Sequence, residues 1–262
     1  MKILFIGDIV GIGARKALKE VLHSIQSEYK IDFTIANGEH LSDRVGVDAR
    51  VVEDMHQAGI DFFTTGNHVW REKSFVEEIG KREIPVIRPA NYPAGTPGEG
   101  YRIIETGFGN ILVINLLGRE GIKANVYSPF ETIDKLLNEI DPATYKYSLV
   151  DFHAEFSSEK VAMGRYLDGK VSAVVGTHIH VPTADARVLK NGTAVVTDVG
   201  YTGPTESVLG VKQEISYRFL TSGLPTKFEI ADGPIQLNSV VIDLDTGGKA
   251  RSIERVDRLI TA

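Results

Sequence analysis

Five segments of the sequence carry carboxylate, amide or imidazole side chains beside a glycine or directly after an apolar run. Oxygen and nitrogen donors of these types are the ligands that transition metals take in proteins. Seven side chains qualify as candidate ligands, which is more than one tetrahedral zinc ion uses, so the sequence predicts two metal ions. These candidates are Asp8, Glu39, His40, Asn67, His153, His178 and His180.

Each segment also has a purely structural interpretation. Gly7-Asp8 is typical of a turn or a helix N-cap, and Asn67-His68 could be satisfied loop groups. The His178-Ile179-His180 pair is a stronger signal, because it presents two imidazoles that can point into one site. The conjunction of all five segments, and no single one of them, favours a metal centre.

A dinuclear centre indicates phosphate ester chemistry. A carboxylate such as Glu39 can bridge two ions ~3.5–4 Å apart, the spacing that clamps a phosphoryl group while a metal-bound hydroxide displaces the leaving group. Two divalent ions bring four positive charges, and Asp8 and Glu39 remove two. We therefore expect a locally positive site that attracts a small anion.

The elements that position these residues are short apolar strands alternating with amphipathic stretches, a pattern typical of βα units. Ligand-bearing segments follow the strands, and the carboxyl ends of parallel strands meet at one sheet edge. We predict parallel-type strands at Lys2–Ile6, Phe33–Ala36, Phe62–Thr65, Ile111–Leu116, Tyr147–Phe152 and Val171–Val175. We predict helices through Ala17–Tyr29 and near Asp48–Ala58, Lys73–Ile79, Pro129–Ile140 and Ser157–Leu167.

The last third of the chain has the pattern of hairpins. Short strands are predicted near Ala186–Leu189, Ala194–Thr197, Lys227–Ile230, Ile235–Asp243 and Ala250–Val256. A parallel part joined to an antiparallel part favours an α/β fold of two packed mixed sheets with helices outside, in one domain over 1–262. The Pro- and Gly-rich stretch Arg88–Gly100 is interpreted as a functional loop.

Composition excludes several classes of protein. The 262 residues contain no cysteine, which excludes a disulfide scaffold and a thiolate metal site. A net charge of −6, from 29 basic and 35 acidic residues, argues against binding to extended nucleic acid. No apolar stretch is long enough for a membrane span, so we expect a cytoplasmic protein without a membrane partner. The sequence allows a homo-oligomer without demanding one.

The candidate site residues resemble the strand-end motifs of the calcineurin-like metallophosphoesterase superfamily. More closely, nearly the whole chain resembles the YmdB family of bacterial phosphodiesterases. The segments that carry this resemblance are ILFIGDIVG, IANGEH, TTGNHVW, VIRPANYPAGTPGEG, VINLLGR, DFHAEFSSEK, AVVGTHIHVPTAD and TDVGYTGP. The resemblance implies the metallophosphoesterase fold, a four-layer α/β/β/α sandwich. It also implies cyclic nucleotides as substrates, 2′,3′-cyclic and also 3′,5′-cyclic forms, whereas residue chemistry alone indicates only a phosphate ester.

The resemblance also implies a role for each candidate. The first metal site would use Asp8, Glu39, the residue after Glu39, and His180; the second would use Glu39, Asn67, His153 and His178. His68 would lie near the substrate phosphate, where it would stabilise charge or, as a general acid, protonate the leaving oxygen. The YmdB pattern has asparagine after the bridging glutamate, where this chain has His40. We expect His40 to bind and tighten the first site, because imidazole is the better ligand; alternatively His40 swings out and water replaces it.

Substrate contacts and metal identity are less constrained by the sequence. Arg88 and Arg119 are candidates to hold phosphate, and Tyr92 and Tyr201 to stack on a base, with a structural role as the alternative for each. The donor set suits iron, manganese or zinc. Two other functions stay open: a phosphomonoesterase or nucleotidase with the same metal core, and a metal-containing regulatory protein that binds nucleotide or RNA with little turnover.

Overall fold

The computed structural model describes residues 1–42 and 45–261. The strands are β1 (Lys2–Ile6), β2 (Asp8–Ile9), β3 (Phe33–Asn37), β4 (Phe62–Thr64), β5 (Tyr101–Ile104), β6 (Ile111–Leu117), β7 (Tyr147–His153), β8 (Ala173–Thr177), β9 (Arg187–Val188), β10 (Ala194–Val196), β11 (Tyr201–Pro204), β12 (Ile235–Leu237), β13 (Ser239–Leu244), β14 (Ala250–Arg255) and β15 (Arg258–Ile260). The α-helices are α1 (Gly11–Tyr29), α2 (Ala49–Gln57), α3 (Lys73–Glu78), α4 (Pro129–Glu139), α5 (Ser157–Tyr166) and α6 (Gln213–Ser222).

Two mixed sheets form the centre of the fold. The first has the strand order β14-β13-β1-β3-β4 and the second has the order β5-β6-β7-β8-β10-β9. In the first, β1, β3 and β4 are parallel. In the second, β6, β7, β8 and β10 are parallel, while β5 and β9 are antiparallel to their neighbours. These two sheets confirm the predicted architecture.

The alternation of side chains along the strands explains the four layers. In β1, Ile3 and Phe5 belong to the core between the sheets, where they share a cluster with Val113 and Leu149 of the second sheet. Leu4 of the same strand faces the helix layer formed by α1, α2 and α3. On the other side, α4 and α5 cover the second sheet around Phe152. Because both faces of each sheet are covered, the central strands are mostly apolar.

A third, smaller sheet was not predicted. Its order is β15-β12-β11-β2, and it places Asp8 opposite Tyr201 in a parallel register. The predicted single strand Ile235–Asp243 is wrong in this respect, because it is two strands in different sheets that separate at Asn238. The side-chain oxygen of Asn238 lies 3.3 Å from the backbone nitrogen of Tyr201, which donates to it at this crossing.

Two further differences concern the region after Pro204. The predicted strand Lys227–Ile230 is wrong, since that stretch makes only a single bridge, between Ile230 and Val211. Helix α6 was missed, because its apolar residues do not form a buried face: of its members only Ser216 is buried. No helix in the described residues is long and apolar enough to cross a membrane.

Candidate metal centre

Four donor atoms converge around His153, at the carboxyl ends of the parallel strands. Nε2 of His153 lies 3.0 Å from Nδ1 of His178, 3.2 Å from Oδ1 of Asn67 and 3.2 Å from Oε1 of Glu39. We call Glu39, Asn67, His153 and His178 the His153 group. Lone pairs brought this close repel one another unless a cation or a proton lies between them.

Three further donors form a second set, which we call the Asp8 group. Asp8, His40 and His180 offer ligand atoms that all lie within 4.8 Å of one another. Nε2 of His180 is 3.8 Å from Oδ1 of Asp8. Nε2 of His40 lies 3.3 Å from Oε1 of Glu39, so His40 and Glu39 join the two groups. The structure thus brings together all seven candidate ligands predicted from the sequence.

Hydrogen bonds behind the histidines set their tautomers. Nδ1 of His153 lies 2.9 Å from the hydroxyl of Thr177, which in turn donates to the buried carboxylate of Asp151. Nε2 of His178 donates to Glu155 at 2.9 Å. Nδ1 of His180 donates to the carbonyl of Leu209 at 3.1 Å. In each case the opposite ring nitrogen presents its lone pair to the centre, the arrangement typical of metal-bound histidines.

The buried carboxylates show that the cavity suits a cation. Asp8 and Glu39 are fully buried, and Oδ1 of Asp8 and Oε1 of Glu39 have no hydrogen-bond partner among the described residues. Buried carboxylate oxygens are costly unless they are paired or coordinate a metal. Gly66 leaves the necessary space, because a Cβ there would lie 1.9 Å from Oε2 of Glu39. The residues therefore fit a dinuclear metal centre.

The pKa values of these groups also indicate a cation site. Burial raises the pKa of Asp8 to about 7. Burial opposes the charge on His153, but the negative charge of Glu39 outweighs it and raises the pKa of His153 to about 9. Burial lowers the pKa of His178 to about 2 and that of His180 to about 3, so both are neutral ligands at neutral pH. The protons on Asp8 and His153 occupy positions where a metal would bind.

The loop that carries both strand-end histidines is strained. His178 has φ 105° and His180 has φ 61°, values that side chains with a Cβ rarely adopt. Asp198 holds this loop by accepting from the backbone nitrogen of Ile179, and Asp198 is itself paired with the buried Lys160 at 2.5 Å. Strain of this kind persists where surrounding contacts determine the conformation, and it concentrates at functional sites.

His68 lies at the rim of the centre. Its ring centroid is 5.3 Å from that of His40, and its backbone nitrogen donates to Oε2 of Glu39. Nε of Arg71 donates to Nδ1 of His68 at 3.2 Å, which leaves the proton of the neutral ring on Nε2. Burial lowers the pKa of His68, so the neutral ring is the main form at neutral pH.

Comparison with known proteins identifies the family. The profile of the family described as "YmdB-like protein" matches residues 4–256. The chain belongs to the YmdB-like family. It is 43% identical over 258 residues to a Bacillus subtilis protein named 2′,3′-cyclic-nucleotide 2′-phosphodiesterase, and the match covers 98% of this chain and 96% of the relative.

Solved structures agree with the fold. A Mycoplasma pneumoniae structure described as a novel phosphatase superposes with a TM-score of 0.92 at 32% identity, covering 100% of this chain and 94% of the other. A structure described as a hypothetical protein from Thermus thermophilus has the same TM-score at 37% identity, covering 99% and 100%. This YmdB-like chain therefore has the metallophosphoesterase fold.

The two arginines predicted to hold phosphate have different surroundings in the structure. Arg88 is buried, and its guanidinium donates to the carbonyls of Pro89, Thr96 and Pro97. These bonds use the guanidinium to hold the loop after residue 88, which corresponds to the structural alternative for this residue. Arg119 is exposed and follows Gly118, whose backbone nitrogen donates to the carbonyl of His153.

The two tyrosines also differ. Tyr201 is 4% exposed, its ring stacks on His180 at 5.0 Å, and its hydroxyl donates to the carbonyl of Pro204. Since it is covered in this way, Tyr201 supports the candidate ligand His180 and has no free ring face for a base. Tyr92 is half-buried against Trp70, in a groove of about 530 Å³ that Asn67 also lines.

Sequence reasoning missed several groups around the centre. Asp151, Glu155 and Thr177 orient the ligand histidines, and Asp198 holds their loop. All four lie in or beside the quoted family segments, but nothing in their types distinguishes them from ordinary turn residues. An apolar wall from α6 and the neighbouring loops was missed as well, because its residues are exposed and follow no buried periodicity.

The role of His40 can be tested by metal titration. Replacing His40 by Asn substitutes an amide oxygen for a nitrogen ligand, and we expect metal affinity at the site of the Asp8 group to fall about tenfold or more. Titration of metal-free protein with Mn²⁺, followed by calorimetry, measures this. His23→Asn is the matched control, because His23 is exposed on α1. Unchanged affinity at both sites in the His40 variant would instead support the alternative in which water fills the position.

The protons on Asp8 and His153 predict a pH dependence of metal binding. His153 binds its proton below about pH 9 and Asp8 below about pH 7, and a metal must displace both. Between about pH 7 and 8.5 we expect the apparent Mn²⁺ affinity to rise about tenfold per pH unit, with a steeper rise from about pH 6 to 7. Equilibrium dialysis at fixed ionic strength measures this slope, and an affinity independent of pH would contradict the assignment.

Proposed function

We propose that this protein is a dinuclear metal-dependent phosphodiesterase that hydrolyses cyclic nucleotides, with 2′,3′-cyclic forms preferred and 3′,5′-cyclic forms also accepted. One observation carries the proposal: two sets of donors, the Asp8 group and the His153 group, meet at Glu39, whose inward carboxylate oxygen is buried and accepts no hydrogen bond from the described residues. The name of the Bacillus subtilis relative supports the choice of a cyclic diester.

The proposed ligands follow from the two groups. Asp8, Glu39, His40 and His180 hold one ion, and Glu39, Asn67, His153 and His178 hold the other. The mixture of nitrogen and oxygen donors supports iron or manganese, with zinc as a further candidate. When bound, two such ions supply Lewis-acid stabilisation of the phosphoryl oxygens and an activated water as nucleophile.

The protein's own residues then orient the substrate and move a proton. His68 presents Nε2–H at the rim of the centre, because Arg71 donates to its other nitrogen at 3.2 Å. The neutral ring donates a hydrogen bond from Nε2 to the leaving oxygen. Proton transfer as the phosphorus–oxygen bond breaks requires the imidazolium form of His68, which gives its Nε2 proton to the leaving oxygen and returns to the neutral imidazole. Arg119, exposed beside the strand end, contacts the phosphate.

We extend the proposal to domain organisation and location. Residues 1–262 form one metallophosphoesterase domain, and the pairing of Lys2 in β1 with Asp243 in β13 supports this by joining the two ends of the chain. We place the protein in the cytoplasm, because nucleotides are made and degraded there.

A phosphomonoesterase is the second candidate. The Mycoplasma pneumoniae structure with the same fold is described as a phosphatase, which favours this interpretation of the same centre. The two functions share the metal ligands and differ in which ester fits the surrounding cavity, so only relative rates separate them.

A substrate panel with elemental analysis tests the proposal. We expect about two metal ions per chain, and faster hydrolysis of 2′,3′-cyclic AMP than of an open diester such as bis(p-nitrophenyl) phosphate or the monoester AMP. Glu39→Gln removes the shared carboxylate, so it should lower both metal content and activity, the latter by roughly 10²–10³-fold. Fastest hydrolysis of AMP would support the monoesterase, and binding of cyclic nucleotide without hydrolysis would support a regulatory protein.

A second variant tests the role of His68. His68→Ala should lower kcat by roughly 10²–10⁴-fold because the general acid is lost, while metal content stays the same. Rates with a leaving group of low pKa, such as p-nitrophenolate, should fall much less, since that group leaves without a proton. Metal loss in this variant would make His68 a ligand instead, and full activity would refute the role.

A further inference from the structure

A large apolar groove opens directly beside the metal centre. Its volume is about 980 Å³, within the range of pockets that hold small ligands. One end is formed by His40, His68, His178 and His180, and most of the rest is built from α6 and two loops. The loops are residues 208–211 and 227–230, and they pair through hydrogen bonds between Lys212 and Glu229 and between Ala231 and Gly210.

The residues of the groove are more exposed than apolar side chains normally are. Phe219 is 40% exposed, Phe228 54%, Leu220 71% and Leu209 48%. The rings of Phe219 and Phe228 lie 5.6 Å apart in an edge-to-face arrangement. A contiguous apolar surface of this kind marks a binding site, because exposing it to water costs free energy that a ligand can recover.

The groove is physically tied to the metal ligands. The carbonyl of Leu209, in the groove wall, accepts the hydrogen bond from Nδ1 of His180. Ile230 packs against Gly11, and a Cβ at Gly11 would lie only 2.6 Å from Cδ1 of Ile230. The groove wall therefore also contacts the start of α1. An ester whose phosphate lies on the two donor groups has this groove as a space into which the rest of the molecule extends.

We propose that the groove binds the nucleoside part of the substrate, with the base against the rings of Phe219 and Phe228; this rests on the function proposed above. A base has two apolar faces, and stacking on an aromatic side chain is strong enough to change binding by about tenfold. The position of the groove favours this occupant over a second copy of the chain, because the four histidines at one end of the groove belong to the metal centre or its rim.

The chemistry of the far wall predicts weak discrimination between bases. Among the described residues, its polar side chains are Ser216, Lys227 and Glu229, and Glu229 is already paired with Lys212 at 2.9 Å. Stacking tolerates every base, whereas discrimination requires hydrogen bonds to the base edge. The groove therefore accepts all four cyclic nucleotides and favours purines, which have the larger stacking face.

The test compares a substrate with a base to one without. Glycerol 1,2-cyclic phosphate has the same five-membered cyclic diester as 2′,3′-cyclic AMP but no base. In the metal-loaded enzyme, Phe219→Ala and Phe228→Ala should each lower kcat/KM for 2′,3′-cyclic AMP about tenfold, mainly through KM. The same variants should leave kcat/KM for glycerol 1,2-cyclic phosphate unchanged.

Tyr217→Ala is the matched control. Tyr217 lies on the same helix and is 56% exposed, but it does not line the groove. It should leave kcat/KM for both substrates unchanged. Equal losses on both substrates in the phenylalanine variants would overturn the proposal, because they would show that the rings only support the metal centre. No loss on either substrate would overturn it too.

A binding measurement separates this proposal from the function on which it rests. If the metal-loaded protein hydrolyses neither diester, the proposed function fails, and calorimetry with 2′,3′-cyclic AMP decides about the groove. Weaker binding by Phe219→Ala than by Tyr217→Ala supports the groove, and equal binding overturns it. Sedimentation of the same variants gives the third outcome: dissociation of an oligomer with unchanged kinetics would show that a second copy occupies the surface, against the proposal.

Discussion

The structure depends on the burial of two carboxylates that have too few partners. Asp8 and Glu39 are inaccessible to solvent, and each directs one oxygen at a point where the described residues provide no hydrogen bond. Without a partner, such groups would carry a large desolvation cost, which the raised pKa of Asp8 reflects. Neighbouring imidazoles reduce this cost unevenly. His153, whose pKa is raised to about 9, is a cation beside Glu39 and holds the pKa of Glu39 low despite its burial, whereas His178 and His180 are neutral. A pair of cations resolves the conflict, and the protein is arranged to receive them.

That arrangement extends beyond the ligands. Thr177 and Asp151 fix the ring of His153, Glu155 fixes that of His178, and a backbone carbonyl fixes that of His180. The strained backbone of the His178–His180 loop is held by Asp198, whose buried partner Lys160 comes from α5. Contacts with the well-packed α/β core thus hold the histidine rings and the His178–His180 loop in conformations that they would not otherwise keep. Preorganisation of this kind keeps the ligand lone pairs in place before any substrate arrives.

Much of this could be predicted from the sequence, for a physical reason. The central strands are covered on both faces, so segments such as residues 3–6 and 111–114 are continuous apolar runs, and the ends of these runs indicate where the strands end. The candidate ligands follow directly at the strand ends, where their types are unusual, and all seven lie together. The role of Arg88 could not be predicted in this way, because a guanidinium bound to carbonyls and one bound to phosphate look the same in a sequence. The same holds for the ring of Tyr201, which looks the same whether it stacks on a histidine or on a base. The third sheet was hidden for a related reason: residues 235–243 are mostly apolar, but the chain changes sheets at Asn238.

The apolar groove beside the metal centre is the clearest example of a feature that sequence patterns do not predict. A helix that packs in a core is recognisable by apolar residues at helical spacing, since water selects against exposing them. Helix α6 has only Ser216 buried, and Phe219 and Leu220 instead face the cavity above the histidines. An element shaped to bind a ligand leaves its apolar face uncovered within its own chain, so the burial that makes core elements recognisable is missing. What remained invisible in the sequence is therefore the part of the surface that we propose the substrate covers. The candidate metal centre was visible, because its residues lie at strand ends.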